Sequence, residues 1–137
     1  MKAQNRQKLV RTLLEKATKS LEAAAMLLRA ESAEAAISRS YYSSFYLAQA
    51  ALATRDISRS KHSGVIAAFG EHLTKKSLLP EELHRLLLDL YDSRVTSDYS
   101  VDEVPSVEEA AKALKAAKRF FDEIEVYLQK WLSEDPR

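Results

Sequence analysis

An all-α fold, a single up-and-down bundle of about five helices, is predicted by three observations. Alanine, leucine, glutamate, lysine and arginine dominate the chain, and all are good helix formers. Only two glycines and three prolines interrupt 137 residues, so the elements are few and long. Apolar residues recur at steps of three and four through most of the chain, the spacing that lines one side of a helix. A chain of this length makes about one domain (1–137, with its core over about 6–131) and buries roughly two-thirds of its unfolded surface. The hydrophobic share of 46% is that of a globular protein and not of a disordered one.

The segment Ala35–Leu52 organises the bundle. It carries four aromatic rings (Tyr41, Tyr42, Phe45, Tyr46) and four serines without a glycine or proline. Ile37, Tyr41, Phe45, Ala48 and Leu52 share one side and point to a core. Arg39, Tyr42, Tyr46 and Gln49 form a second side, apolar in body and polar at the tips. Ser40, Ser44 and Ala51 form a third, narrow side that another backbone can approach closely. Three usable sides mean a central helix.

Before it, a first helix is predicted over about Arg6–Arg29, with Val10, Leu13, Ala17, Leu21, Ala24 and Leu28 as a seam of nearly coiled-coil regularity. The apolar stripe resumes out of phase at Ile37, which places a turn near Ala30–Ser32 with Ser32 as the N-cap. After the central helix, the polar run T-R-D-I-S-R-S-K-H-S-G is a loop. It leads into a third helix, roughly Lys61–Lys76, whose core side is Val65, Ile66, Phe69 and Leu73. Pro80 at the first position, followed by Glu81 and Glu82, starts a fourth helix, since acids in the first turn suit the helix dipole. Its apolar side is Leu79, Leu83, Leu86, Leu87, Leu90 and Tyr91, and it reaches at least Arg94 before an acidic loop at Ser100–Pro105. Ser106 with Glu109 is a capping box and opens the fifth helix. There Val107, Ala110, Leu114, Ala117, Phe121, Ile124, Leu128 and Trp131 repeat strictly, a seam that matches the first helix as an antiparallel neighbour.

Composition excludes several chemistries. The chain has no cysteine, so disulfides, thiolate metal sites and cysteine nucleophiles are ruled out. No apolar run is long enough to span a bilayer, and M-K-A-Q-N-R-Q-K has no apolar signal core, so a cytoplasmic protein with no membrane partner is expected. A net charge of +1 exerts no general pull on nucleic acid. Its distribution is uneven: residues 1–30 carry seven Lys/Arg against two Glu, and residues 98–110 carry five acids and no base. Gly64 and Gly70, in K-H-S-G-V-I-A-A-F-G, are better placed for close helix packing than for cradling phosphate. His62, His72 and His84 lack the spacing of metal ligands, so no metal and no cofactor are implied.

What remains is a polar constellation. Arg39, Tyr42 and Tyr46 share one helix side; Tyr91, Arg94 and Asp98 share another; Lys61 and His62 open the third helix. By itself Arg94 with Asp98 is an i,i+4 ion pair worth about 0.2–0.5 kcal/mol. The tyrosines fit equally well as core and interface rings. A phosphate- or nucleotide-binding site built from Arg39, Arg55, Arg59, Lys61 and His62 is a further reading, carried by local charge alone.

The ordered segments A-I-S-R-S-Y-Y-S-S-F-Y-L-A-Q-A-A-L, S-K-H-S-G-V-I-A-A-F-G and R-V-T-S-D-Y resemble the HEPN domain family, in its small stand-alone prokaryotic branch, over roughly Arg6–Trp131. The resemblance implies a bundle of four to five helices, a homodimer, and a partner protein that is a minimal nucleotidyltransferase in a toxin–antitoxin-like or nucleotide-binding system. The alternative it implies is a ribonuclease toxin cleaving RNA. Active HEPN ribonucleases carry an arginine followed after four to six residues by a histidine, facing a dimer cleft. Arg94 matches that arginine, but residues 95–103 read V-T-S-D-Y-S-V-D-E and hold no histidine. Tyr99 stands at the earliest histidine position, and a phenol titrating near 10 is a poor base where an imidazole titrates near 6.5. An altered catalytic set would be Arg94, Asp98 and Tyr99; phosphate contacts would come from Arg39, Tyr42, Lys61 and His62. By the same resemblance, Tyr99 is the expected acceptor of a nucleotidyl modification. His62 reaches the cleft only if the third helix starts beside it. Non-catalytic partnership is the first expectation and ribonuclease activity the second.

Overall fold

The computed structural model describes residues 2–99 and 104–134. Five helices carry them: α1 (Ala3–Arg29), α2 (Ala33–Ala53), α3 (His62–Phe69), α4 (Glu82–Tyr99) and α5 (Val107–Leu132). α3 runs on into one widened π-helical turn, Gly70–Thr74. No strand occurs among the described residues. The all-α expectation holds, and so does the count of helices.

α2 is the central rod and touches every other helical element. Its core side is buried as read: Ile37, Tyr41, Phe45, Ala48 and Leu52. The narrow side of Ser40, Ser44 and Ala51 is buried too, and so is Ser43, which that reading left out and which shows what a small residue permits against α1. Its hydroxyl donates to the Ala17 carbonyl of α1 at 2.8 Å, a contact that a longer side chain would force apart. α1 lies antiparallel to α2, with Arg6 near Asp56 at the far end. α5 packs chiefly on α2 and less on α1, so the seam match between α1 and α5 describes its secondary neighbour. The α5 stripe also differs in detail: Ala113 and Phe120 are buried, and Leu114 and Val107 are not. Phe120 meets Phe69 of α3 with ring centres 5.5 Å apart. An Arg119–Glu82 ion pair links α5 to α4 on the surface.

Boundaries moved at several ends. α1 begins at Ala3, earlier than Arg6, and α2 spans two residues before and one after the reading. Ser32 holds the N-cap position of α2 but its side chain makes no cap bond. Pro80 precedes α4 by two residues instead of opening it. The Ser106–Glu109 capping box is complete, the hydroxyl accepting from the Glu109 N–H at 3.0 Å. Of the Ser100–Pro105 loop, residues 100–103 lie outside the described residues.

The turns explain how a chain with two glycines reverses so sharply. Glu31, Asp56 and Ser77 all adopt positive φ, of 59°, 57° and 60°. Each closes the helical segment before it with the same paired bonds, such as Ser32 N–H to Leu27 O and Glu31 N–H to Leu28 O, both 2.9 Å. This is the Schellman closure, usually made by glycine because a Cβ is strained there. Glu31→Gly is therefore expected to stabilise the fold by up to about 1 kcal/mol, the roughly 1–2 kcal/mol of left-handed strain less the extra entropy glycine loses on folding, read as a higher midpoint in urea.

Of the two glycines, Gly70 is the one that packing requires. A Cβ there would lie 2.7 Å from Nε2 of His84, whereas at Gly64 it would meet only the Arg59 side chain at 3.6 Å. Gly70→Ala is expected to destabilise the protein, by about 1–3 kcal/mol of overpacking less the roughly 1 kcal/mol that alanine gains in a helix. In a His84→Ala background the same change should stabilise instead. Equal effects in both backgrounds would refute the packing account.

Candidate functional site

The middle of α2 builds an aromatic cup. Tyr41 is fully buried, and around it lie Tyr42 (ring centres 5.3 Å apart), Phe45 (5.8 Å) and Tyr91 of α4 (5.6 Å). The fifth ring is His62, the first residue of α3, stacked on Phe45 at 4.4 Å and on Tyr41 at 5.6 Å. The third helix does start beside His62, the condition under which that histidine reaches the site. Tyr41 Oη and His62 Nδ1 are 2.6 Å apart.

Arg94 enters from α4. Its guanidinium carbon lies 5.1 Å from the Tyr42 ring centre and 5.7 Å from that of Tyr41, within cation–π range of both. Nε is 3.1 Å from Asp98 Oδ2, a close ion pair whose approach is off the N–H direction, so no aligned hydrogen bond forms. Nη1 and Nη2 have no hydrogen-bond partner among the described residues and are not among its buried unpartnered atoms. Each therefore keeps some contact with solvent on a side chain that is one-fifth exposed, which leaves the guanidinium fork able to meet an anion. Arg39 adds a second cation over the Tyr42 ring at 5.0 Å, and Lys16 approaches Tyr46 at 5.7 Å.

The electrostatics follow from this packing. Burial pushes the Tyr41 phenol well above its usual value near 10, against the opposing pull of Arg94, so it stays protonated. Burial and then the Arg94 charge lower the pKa of His62 below 6.5. The sign for stability follows. As pH falls below about 6.5, the unfolded chain takes up the His62 proton before the folded one does. This contribution is therefore complete above pH 6.5 and is lost as pH falls through the lowered folded pKa. Urea unfolding between pH 5 and 7.5 should show that slope, and His62→Gln should flatten it.

Of the residues expected in the site, the structure brings together Arg94, Asp98, Tyr42, Arg39 and His62. Tyr99 ends α4, but its side chain lies outside the described residues. The basic loop does not converge on the cup as a set. Arg55 and Lys61 are exposed, and their side chains make no hydrogen bond or ion pair among the described residues, while Arg59 donates to the neighbouring Ser58 carbonyl at 2.8 Å. Sequence reasoning missed the pairing of Tyr41 with His62: Tyr41 read simply as core, and no spacing rule ties residue 62 to residue 94. Among the described residues, no group of three or more His, Asp or Glu is arranged to hold a metal. No helix among them is long and apolar enough to cross a membrane.

Comparison with known proteins agrees with this architecture. Residues 10–127 match the HEPN domain family. A Methanocaldococcus jannaschii protein named "Putative toxin MJ0142" is 39% identical over 116 residues, covering 85% of this chain and 79% of its own length. A second from the same organism, "Putative toxin MJ0605", is 32% identical over 123 residues, or 90% and 91% of the two chains. The Gloeobacter violaceus "UPF0332 protein glr0978" is 37% identical over 112 residues, or 82% and 89%. With its helical bundle and a match across most of its length, the chain belongs to the HEPN domain family.

Proposed function

We propose that this protein is the toxin-like half of a two-component module. In this reading it holds the phosphate of a nucleotide or RNA at the Arg94 cup, pairs with a second copy of itself, and is controlled by a minimal nucleotidyltransferase. The observation that carries the reading is Arg94: a guanidinium braced by two tyrosine rings, paired with Asp98 through Nε, with its two terminal nitrogens unbonded among the described residues and not fully buried. Aromatic faces beside a forked cation suit a nucleotide, whose base stacks while its phosphate is gripped. Two of its relatives carry toxin in their names, which supports the same direction.

Expression of the chain alone, and together with the product of the neighbouring gene, tests this. Growth arrest relieved by the partner, co-purification of the two, and nucleotidyl addition at Tyr99 are expected. An unmodified Tyr99 with no co-purification removes the partnership. A second reading, ribonuclease activity, gains from His62, which brings an imidazole to the same two tyrosine rings that Arg94 meets, where the late segment lacks one. Purified protein that leaves RNA intact for hours would eliminate it.

A further inference from the structure

The imidazole in the cup is oriented by a single bond, and that bond decides what the ring can do. Tyr41 is fully buried, and among the described residues its hydroxyl bonds only to His62 Nδ1, at 2.6 Å. A phenol at neutral pH carries its hydrogen. A buried O–H left without an acceptor costs about 1–3 kcal/mol, so Tyr41 donates and Nδ1 accepts. A neutral imidazole has one N–H, and with Nδ1 accepting, that hydrogen sits on Nε2. Phe45 and Tyr41 stack on the ring and hold its plane. Nε2 bonds to no described residue and is not one of the buried unpartnered atoms, so it opens to solvent.

We propose that His62, oriented by Tyr41, donates its Nε2–H to a phosphate oxygen beside the Arg94 guanidinium, acting as a phosphate ligand and not as a proton-abstracting base. The inference rests on reading the cup as a phosphate site and assigns one of its contacts. A base would need Nε2 bare, which requires the Tyr41 bond to reverse and strands the phenolic hydrogen. The donor role needs no such reversal. It also needs no protonation: both the neutral and the charged ring carry Nε2–H. The groups facing the ring are Tyr41, Tyr42 and Phe45 from α2 and Tyr91 from α4. Arg94, paired with Asp98, adds a charge that opposes protonation, and Arg59 and Lys61 add positive charge on the ring's own segment. Phosphate binding should therefore survive from pH 6 to pH 8, where a site dependent on the imidazolium would fail.

Two measurements test this on the full chain. Nitrogen NMR of His62 without ligand should report the Nε2–H tautomer, and Tyr41→Phe should mix the two tautomers; a dominant Nδ1–H form overturns the proposal. Calorimetry with adenosine 5′-monophosphate and with a diribonucleotide then separates a terminal phosphate from an internal one. His62→Ala should weaken whichever binds by about tenfold, the value of one hydrogen bond to a charged group. His62→Gln, whose amide nitrogen lies near the Nε2 position and does not titrate, should stay within about threefold of the native affinity. A glutamine variant as weak as alanine, or an alanine variant as tight as the native protein, refutes the contact. If Arg94→Ala alone abolishes binding, the cup reading stands and only the His62 assignment falls. Should the native protein bind neither probe, both fall together.

Discussion

Arg94→Ala is expected to end growth arrest and to weaken nucleotide binding on the order of a hundredfold while leaving the bundle folded. The size follows from what the side chain offers. Each hydrogen bond to a charged group is worth about 1.5–3 kcal/mol, and a forked pair loses more than one of them. The stability cost is smaller. Two cation–π contacts at a partly open site contribute about 0.5–1 kcal/mol each, and Asp98 is left beside solvent. Arg94→Lys sharpens the test, because it keeps the charge and loses the planar fork. Its affinity should fall between the native and alanine proteins. An alanine variant that still arrests growth and binds as before would show that the guanidinium is a structural brace and nothing more. Removing Arg94 also removes a charge that lowers the His62 pKa, so His62 should titrate higher in the variant.

The bundle was legible because its signals are periodic and local. The α2 core side and the Ser106–Glu109 cap were read residue by residue from spacing alone. The helix ends were harder, since Glu31, Asp56 and Ser77 make left-handed closures without the glycine that usually announces them. The choice of α2 over α1 as the main neighbour of α5 was not legible, because both seams satisfy the same spacing and only three-dimensional packing separates them. In the site, Arg94 with Asp98 lies within one helical turn and was readable. His62 was not tied to it, since the path of the loop after α2 decides where α3 begins, and that loop has no periodicity to read.

Tyr41→Ala is expected to have the largest effect on stability, about 3–5 kcal/mol, the usual loss when a fully buried aromatic ring is removed. In a chain of this size that lowers the melting midpoint by on the order of 10 °C. Tyr41→Phe separates the ring from its hydroxyl. The packing stays, and the loss is one hydrogen bond, about 1 kcal/mol. Water can replace the missing donor at His62 Nδ1, because the imidazole is only partly buried. The phenylalanine protein should therefore melt close to the native one. If phenylalanine costs as much as alanine, the bond to His62 and not the ring holds this part of the bundle. With the expected split, one residue serves two ends by separate means: its ring anchors α2 against α4, and its hydroxyl decides which nitrogen the site presents to a ligand.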